Sequence, residues 1–78
     1  MARLLLLGPA REAAGVREDD VAGDSVEAVL DAARARYGEA FAAVLATSQV
    51  WVNGEPAAAT SPVADYDEVA VLPPVSGG

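Results

Sequence analysis

The feature that most limits the fold is a stripe of apolar residues, Val26, Val29, Leu30, Ala33 and Tyr37, recurring at helical spacing. Asp24 followed by Glu27 has the spacing of a capping box, with Asp in place of the usual Ser or Thr. Arg34 and Arg36 fall near the far end, where cations oppose the helix dipole, and Gly38 is a natural stop. The spacing predicts a helix over residues 25–37. A helix with one apolar face needs a surface to cover, and the flanking segments supply strands.

RLLLL, residues 3–7, is a short apolar run closed by Gly8-Pro9. Its continuous hydrophobicity fits a strand covered on both faces, or on one face with a partner surface on the other. AREAAG, residues 10–15, has room for about one helical turn ending at glycine. VREDDV, residues 16–21, reads as a polar edge strand whose charges discourage edge-to-edge pairing. Residues 39–46 form a second short helix carrying Phe41, Val44 and Leu45. Residues 49–52 form a strand, and Asn53-Gly54 is a two-residue hairpin turn because both positions accept positive φ. Residues 55–59 return as an edge strand containing Pro56, and EVAVL, residues 68–72, is the last strand. The expected fold is α+β, a mixed sheet of about five strands with one main helix packed on it.

Seventy-eight residues make one domain, which buries only about 60–65% of its unfolded surface. The apolar share is 53%, but much of it is alanine, so the core is expected to rest on Val, Leu, Trp51, Phe41, Tyr37 and Tyr66. The net charge of −7, without lysine or any basic cluster, argues against nucleic acid and against an anionic membrane surface. The acidity serves solubility or docking onto a basic partner. Without cysteine or histidine there is no disulfide, thiolate nucleophile, Cys/His metal site or histidine base, and no metal site is expected. The opening MARLLLLGP is too short for a signal or membrane segment, and a cytoplasmic protein is expected.

The end of the chain, LPPVSGG, sets a different problem. After Glu68 no residue carries a charge, and Pro73-Pro74 ends the strand ladder and biases the backbone toward polyproline II. Extended, residues 73–78 span at most about 20 Å. Gly77 and Gly78 lack Cβ, so a narrow channel around the final carboxylate would meet backbone only. A frayed terminus is the plain alternative. A stiff spacer directly after a core strand, ending in glycine, is instead what presenting a carboxylate requires. The division is a domain over residues 1–72 and a flexible extended tail over residues 73–78.

The terminal DEVAVLPPVSGG, the opening LLLLGPAREAAG, the Val52-Asn53 pair and the strand-helix-strand order together resemble the small subunit of molybdopterin synthase. The resemblance covers nearly the whole chain. It implies a ubiquitin-like β-grasp fold and a sulfur carrier of molybdenum cofactor biosynthesis. On that reading an adenylating enzyme related to ubiquitin activators joins AMP to the Gly78 carboxylate, and sulfur displaces AMP to leave a thiocarboxylate. Pro73, Pro74, Val75, Ser76 and Gly77 thread into the large synthase subunit of a heterotetramer. There the sulfur goes into the dithiolene of a pterin precursor. No cofactor is bound by the carrier itself, and ATP is used by the activating enzyme. Leu7 and Leu72 stand where the family tends to place partner-facing apolar residues, although core packing explains them equally well. Arg11 joins them, because a charge in a short turn is seldom buried unpaired. Acid/base groups come from the partner.

Other readings stay open. The thiamine-biosynthesis carriers share fold, tail and activation chemistry but are usually shorter and lack the AREAAG turn. A cysteine-biosynthesis carrier, a ubiquitin-like protein modifier and a β-grasp interaction module with a passive tail are the remaining alternatives. Without lysine, the chain cannot build side-chain-linked polymers of itself.

Overall fold

A computed structural model describes residues 1–74. The elements are β1 (Ala2–Leu6), α1 (Gly8–Ala14), β2 (Glu18–Val21), α2 (Val26–Tyr37), α3 (Glu39–Ala46), β3 (Gln49–Val52), β4 (Glu55–Pro56) and β5 (Glu68–Leu72). The sheet order is β2-β1-β5-β3-β4. β1 and β5 run parallel at its centre and the other pairs are antiparallel, so the sheet is mixed, in the β-grasp arrangement.

α2 starts one residue later than the capping box suggests. The cap is Ser25, whose Oγ accepts from the Ala28 N–H at 3.1 Å, and not Asp24. Tertiary pairing decides between them: Ser25 bridges Pro62, and the Asp24 carbonyl accepts from Val63 N–H at 3.0 Å, which holds Ser25 extended at the cap. Val26, Val29, Leu30 and Ala33 are buried beneath the helix, as the stripe requires. Gly38 separates α2 from α3 and donates to the Arg34 carbonyl at 2.9 Å.

Two elements differ in length from expectation. α1 has seven residues instead of a single turn, because Pro9 sits in the first turn, where its missing N–H costs nothing, and Gly15 closes the helix at φ 80°. β4 keeps only two of the five expected residues, since the chain swings away after Ala57. The turn between β3 and β4 is as expected, with Asn53 at φ 51° and Gly54 at φ 84°.

The core lies between one face of the sheet and the helices. Leu4, Leu6, Val21, Val26, Val29, Phe41, Val69 and Val71 are fully buried, and Phe41 meets Tyr37 edge to face with ring centroids 5.2 Å apart. Two aromatics assigned to the core do not belong there. Tyr66 is 91% exposed, and Trp51 is half-buried. Register explains Trp51: it stands opposite Ala70, between neighbours whose partners Val69 and Val71 point into the core. It therefore occupies the other face of the sheet.

Candidate functional site

Because β1 and β5 are parallel, with Leu6 level with Val71, both strands finish at the same end of the sheet. That brings Leu7 and Leu72 together where the chain leaves the domain. Leu7, Gly8, Pro9, Leu72, Pro73 and Pro74 line a notch of about 210 Å³. On the other flank Gln49 is level with Leu72, and Thr47, Gln49, Leu72, Pro73 and Pro74 line a second depression of about 400 Å³. Leu7 is 46% exposed and Leu72 is half-buried. Arg11 is exposed on α1 but lines neither depression. Val75, Ser76, Gly77 and Gly78 lie outside the described residues.

An apolar strip continues from this base across the sheet's outer face. Leu5, Ala70 and Trp51 are level with one another on β1, β5 and β3, and Pro56 stands opposite Trp51. Leu5, Ala70 and Trp51 are each half-buried. Along the far rim Arg3 pairs with Glu18 at 2.6 Å. RLLLL is thus covered on one face at Leu4 and Leu6, and carries a partly open apolar face at Leu5 and Leu7.

None of the residues lining the two depressions has an ionisable side chain. The groups with shifted acidity lie elsewhere. Asp19 is held below the usual carboxylate range by the Tyr37 hydroxyl and the Arg36 guanidinium, and Asp67 by the Ala64 N–H and the Asn53 amide. No described residue lining the tail base can therefore serve as an acid or a base. The arrangement sets Pro73 and Pro74 beside Leu7 and Leu72 in uncharged, largely apolar surroundings.

Sequence reasoning reached Leu7, Leu72, Pro73 and Pro74 but missed Gly8, Pro9, Thr47, Gln49 and the outer-face position of Trp51. Gly8-Pro9 registered only as a strand terminator. Gln49 joins the site through antiparallel pairing with Leu72, a non-local contact that composition does not announce.

No curated protein matches the sequence. Among solved structures, the chain is 35% identical to small archaeal modifier protein 1 from Haloferax volcanii, covering 99% of this chain and 98% of that one with a TM-score of 0.82. The corresponding protein of Methanosarcina acetivorans is 27% identical over 99% and 95%, with a TM-score of 0.88. A Pyrococcus furiosus protein assigned as molybdopterin converting factor, subunit 1, is 25% identical over 95% and 97%, with a TM-score of 0.83. The ThiS family model matches residues 4–78. With that match across nearly its whole length and this topology, the chain belongs to the ThiS family of ubiquitin-like β-grasp sulfur carriers.

Proposed function

We propose that this chain is the sulfur carrier of molybdenum cofactor biosynthesis, the small subunit of a molybdopterin synthase. The Gly78 carboxylate attacks the α-phosphorus of ATP on an adenylating enzyme, forming an acyl-adenylate and releasing pyrophosphate. A sulfur nucleophile delivered to that enzyme then displaces AMP and leaves a thiocarboxylate. Inside the large subunit that sulfur is transferred to a pterin precursor, and water restores the carboxylate. The domain's part is positional: Pro73 and Pro74 end the strand ladder and stiffen the start of the tail, and Leu7 and Leu72 offer an apolar landing surface.

The observation that carries this reading over a thiamine-type carrier is α1. The AREAA segment folds as a helix directly after β1, and Gly8 and Pro9 at its start line the notch with Leu72, Pro73 and Pro74. The likeness to the Pyrococcus protein supports it. A second reading has its own support, since the 35% identity is to a small archaeal modifier protein. In that case the same adenylate is passed to a lysine of another protein.

One experiment separates them. The purified chain is incubated with ATP, a sulfide source and each candidate activating enzyme, and its intact mass is measured. A thiocarboxylate raises the mass by about sixteen units, one oxygen replaced by sulfur. A conjugate adds the mass of a whole protein. No change with any activating enzyme would reject both. Assembly of dithiolene from a pterin precursor by the loaded chain and a molybdopterin synthase large subunit is the result that assigns the pathway.

A further inference from the structure

β3 is not covered along its whole outer edge. Gln49 and Trp51 use their main-chain groups on β5, as does Asn53, whose N–H reaches the Glu68 carbonyl at 2.9 Å. The main-chain groups of Ser48, Val50 and Val52 therefore point the other way. Val52 meets Glu55, and the Val50 carbonyl accepts from Ala57 N–H at 3.0 Å. There the returning strand departs. Among the described residues no bond runs from the Val50 N–H to the Ala57 carbonyl, and no main-chain donor meets the Ser48 carbonyl. The Ser48 N–H is already committed to the Leu45 carbonyl at 3.1 Å.

The groups left over are one acceptor, Ser48 C=O, and one donor, Val50 N–H, on either side of Gln49. A single residue of a strand lying parallel to β3 satisfies both. An antiparallel strand needs the N–H and C=O of one residue, and neither Ser48 nor Val50 has both to offer. Beside this edge runs a groove of about 560 Å³, walled by Val26, Leu30, Leu45, Val50, Trp51 and Ala57. Its one charged lining residue, Arg34, is paired with Asp31 at 2.6 Å. Exposed Glu27, whose N–H is bonded to the Ala59 carbonyl of the groove wall, and exposed Glu55 on β4 complete a rim of three carboxylates against one guanidinium.

The opposite sheet edge is closed at Asp20, while among the described residues the outward main-chain groups of Glu18 meet no partner. The outward N–H of Asp20 on β2 donates to the Asp19 carboxylate at 2.9 Å, and its carbonyl accepts from Arg36 Nη1 at 3.0 Å. The open groups of β3 border an apolar groove, whereas those of Glu18 border a charged depression lined by Arg3, Asp19 and Asp20.

We propose that this groove docks an extended segment of a partner protein, one residue of which bonds Ser48 C=O and Val50 N–H in the parallel sense before the segment turns into the groove ahead of Ala57 and Pro56. The segment is apolar at alternate positions and flanked by lysine or arginine. Main-chain bonds to Ser48 and Val50 supply register, apolar side chains fill the groove, and the flanking cations meet Glu27, Asp31 and Glu55. The proposal does not depend on what Gly78 carries.

The test uses the full chain, ¹⁵N-labelled, titrated with acetyl-Arg-Val-Thr-Val-Ser-Val-Arg-amide. Expected are amide shifts gathered at Leu30, Ala46, Ser48, Val50 and Ala57, with Val50 amide exchange slowed at least about tenfold at saturation. Nuclear Overhauser contacts should place the peptide parallel to β3. A peptide with glutamates for the arginines should bind at least about tenfold more weakly at low salt. Ala46→Arg, at an exposed position, should weaken binding and leave distant amides unshifted. Shifts centred on Leu5 and Ala70, an antiparallel peptide, or unchanged Val50 exchange at saturation would overturn it. So would Val50 protection in the free chain that disappears on deleting residues 75–78, since the chain's own tail would then be the occupant. Protection that grows with protein concentration would name a second copy instead and equally end the proposal.

Discussion

The hydroxyl of Tyr37, in the last turn of α2, donates to Oδ2 of Asp19 on β2 at 2.5 Å. Arg36 reaches the same oxygen at 2.8 Å. The hydroxyl and the guanidinium hold the Asp19 carboxyl below its ordinary range, while partial burial and the Asp19 charge push Tyr37 up to about 12. A carboxyl whose pKa is lower folded than unfolded stabilises the fold above its unfolded value, and loses that contribution as pH falls through the folded one. Asp19→Asn should therefore cost about 1 kcal/mol at neutral pH. The gap from the parent should narrow as the pH falls through the lowered folded pKa of Asp19 and close once that carboxyl is protonated in both states. Urea unfolding at neutral pH and in acid checks it, and a gap that persists in acid would show that the charge is not the cause.

Gly23 is a tighter constraint than its place in a loop suggests. At φ 156°, a Cβ there would lie 2.8 Å from both Val29 Cγ2 and Val29 N. Val29 is fully buried and its N–H is part of the first turn of α2, so neither neighbour can yield cheaply. Gly23→Ala should destabilise the domain by about 1–3 kcal/mol. A fall in Tm of several degrees or more is the expected reading, and an unchanged Tm would mean the loop shifts freely.

Leu7→Asp and Leu72→Asp test the landing surface. Since Leu7 is half-exposed and Leu72 only half-buried, both variants should still fold. Both should lose capture by a molybdopterin synthase large subunit, with Arg11→Ala losing less. If Leu72→Asp unfolds the domain, that leucine is core and the assignment fails for it. Deleting Gly78, or adding one residue after it, should abolish sulfur loading with the fold intact.

The charge of −7 makes a kinetic prediction. Exposed charges are screened beyond about 8–10 Å at ordinary ionic strength, so attraction to a basic partner acts through encounter. Stopped-flow association with the large subunit should slow markedly from low to high salt, while dissociation, governed by the uncharged segment after Glu68, changes little. A flat association rate would leave the acidity to solubility alone.

Local signals carried most of the fold. The spacing of Val26, Val29, Leu30 and Ala33 placed α2, and Gly38 separated it from Glu39–Ala46. Asn53-Gly54 fixed the ends of two strands. The errors came where distant residues decide. Asp24 and Ser25 are equally good caps locally, and the bridge from Ser25 to Pro62 chooses between them. Trp51 and Tyr66 are apolar enough for a core, but only strand register shows that Trp51 takes the outer face. The tail base was legible in part: the family resemblance named Leu7 and Leu72 together, while the parallel β1–β5 pairing is what makes them adjacent. Thr47 and Gln49 were invisible for the same reason.

That pairing also governs when the protein can exist at all during its synthesis. The last strand among the described residues, β5, sits between β1 and β3, and without it those two have no common neighbour. A nascent chain therefore cannot close its sheet until residues 68–72 have left the ribosome. Chains ended before residue 68 lose the middle of the sheet. Every copy that folds has been read through at least to residue 72, so folding itself screens out chains shorter than that.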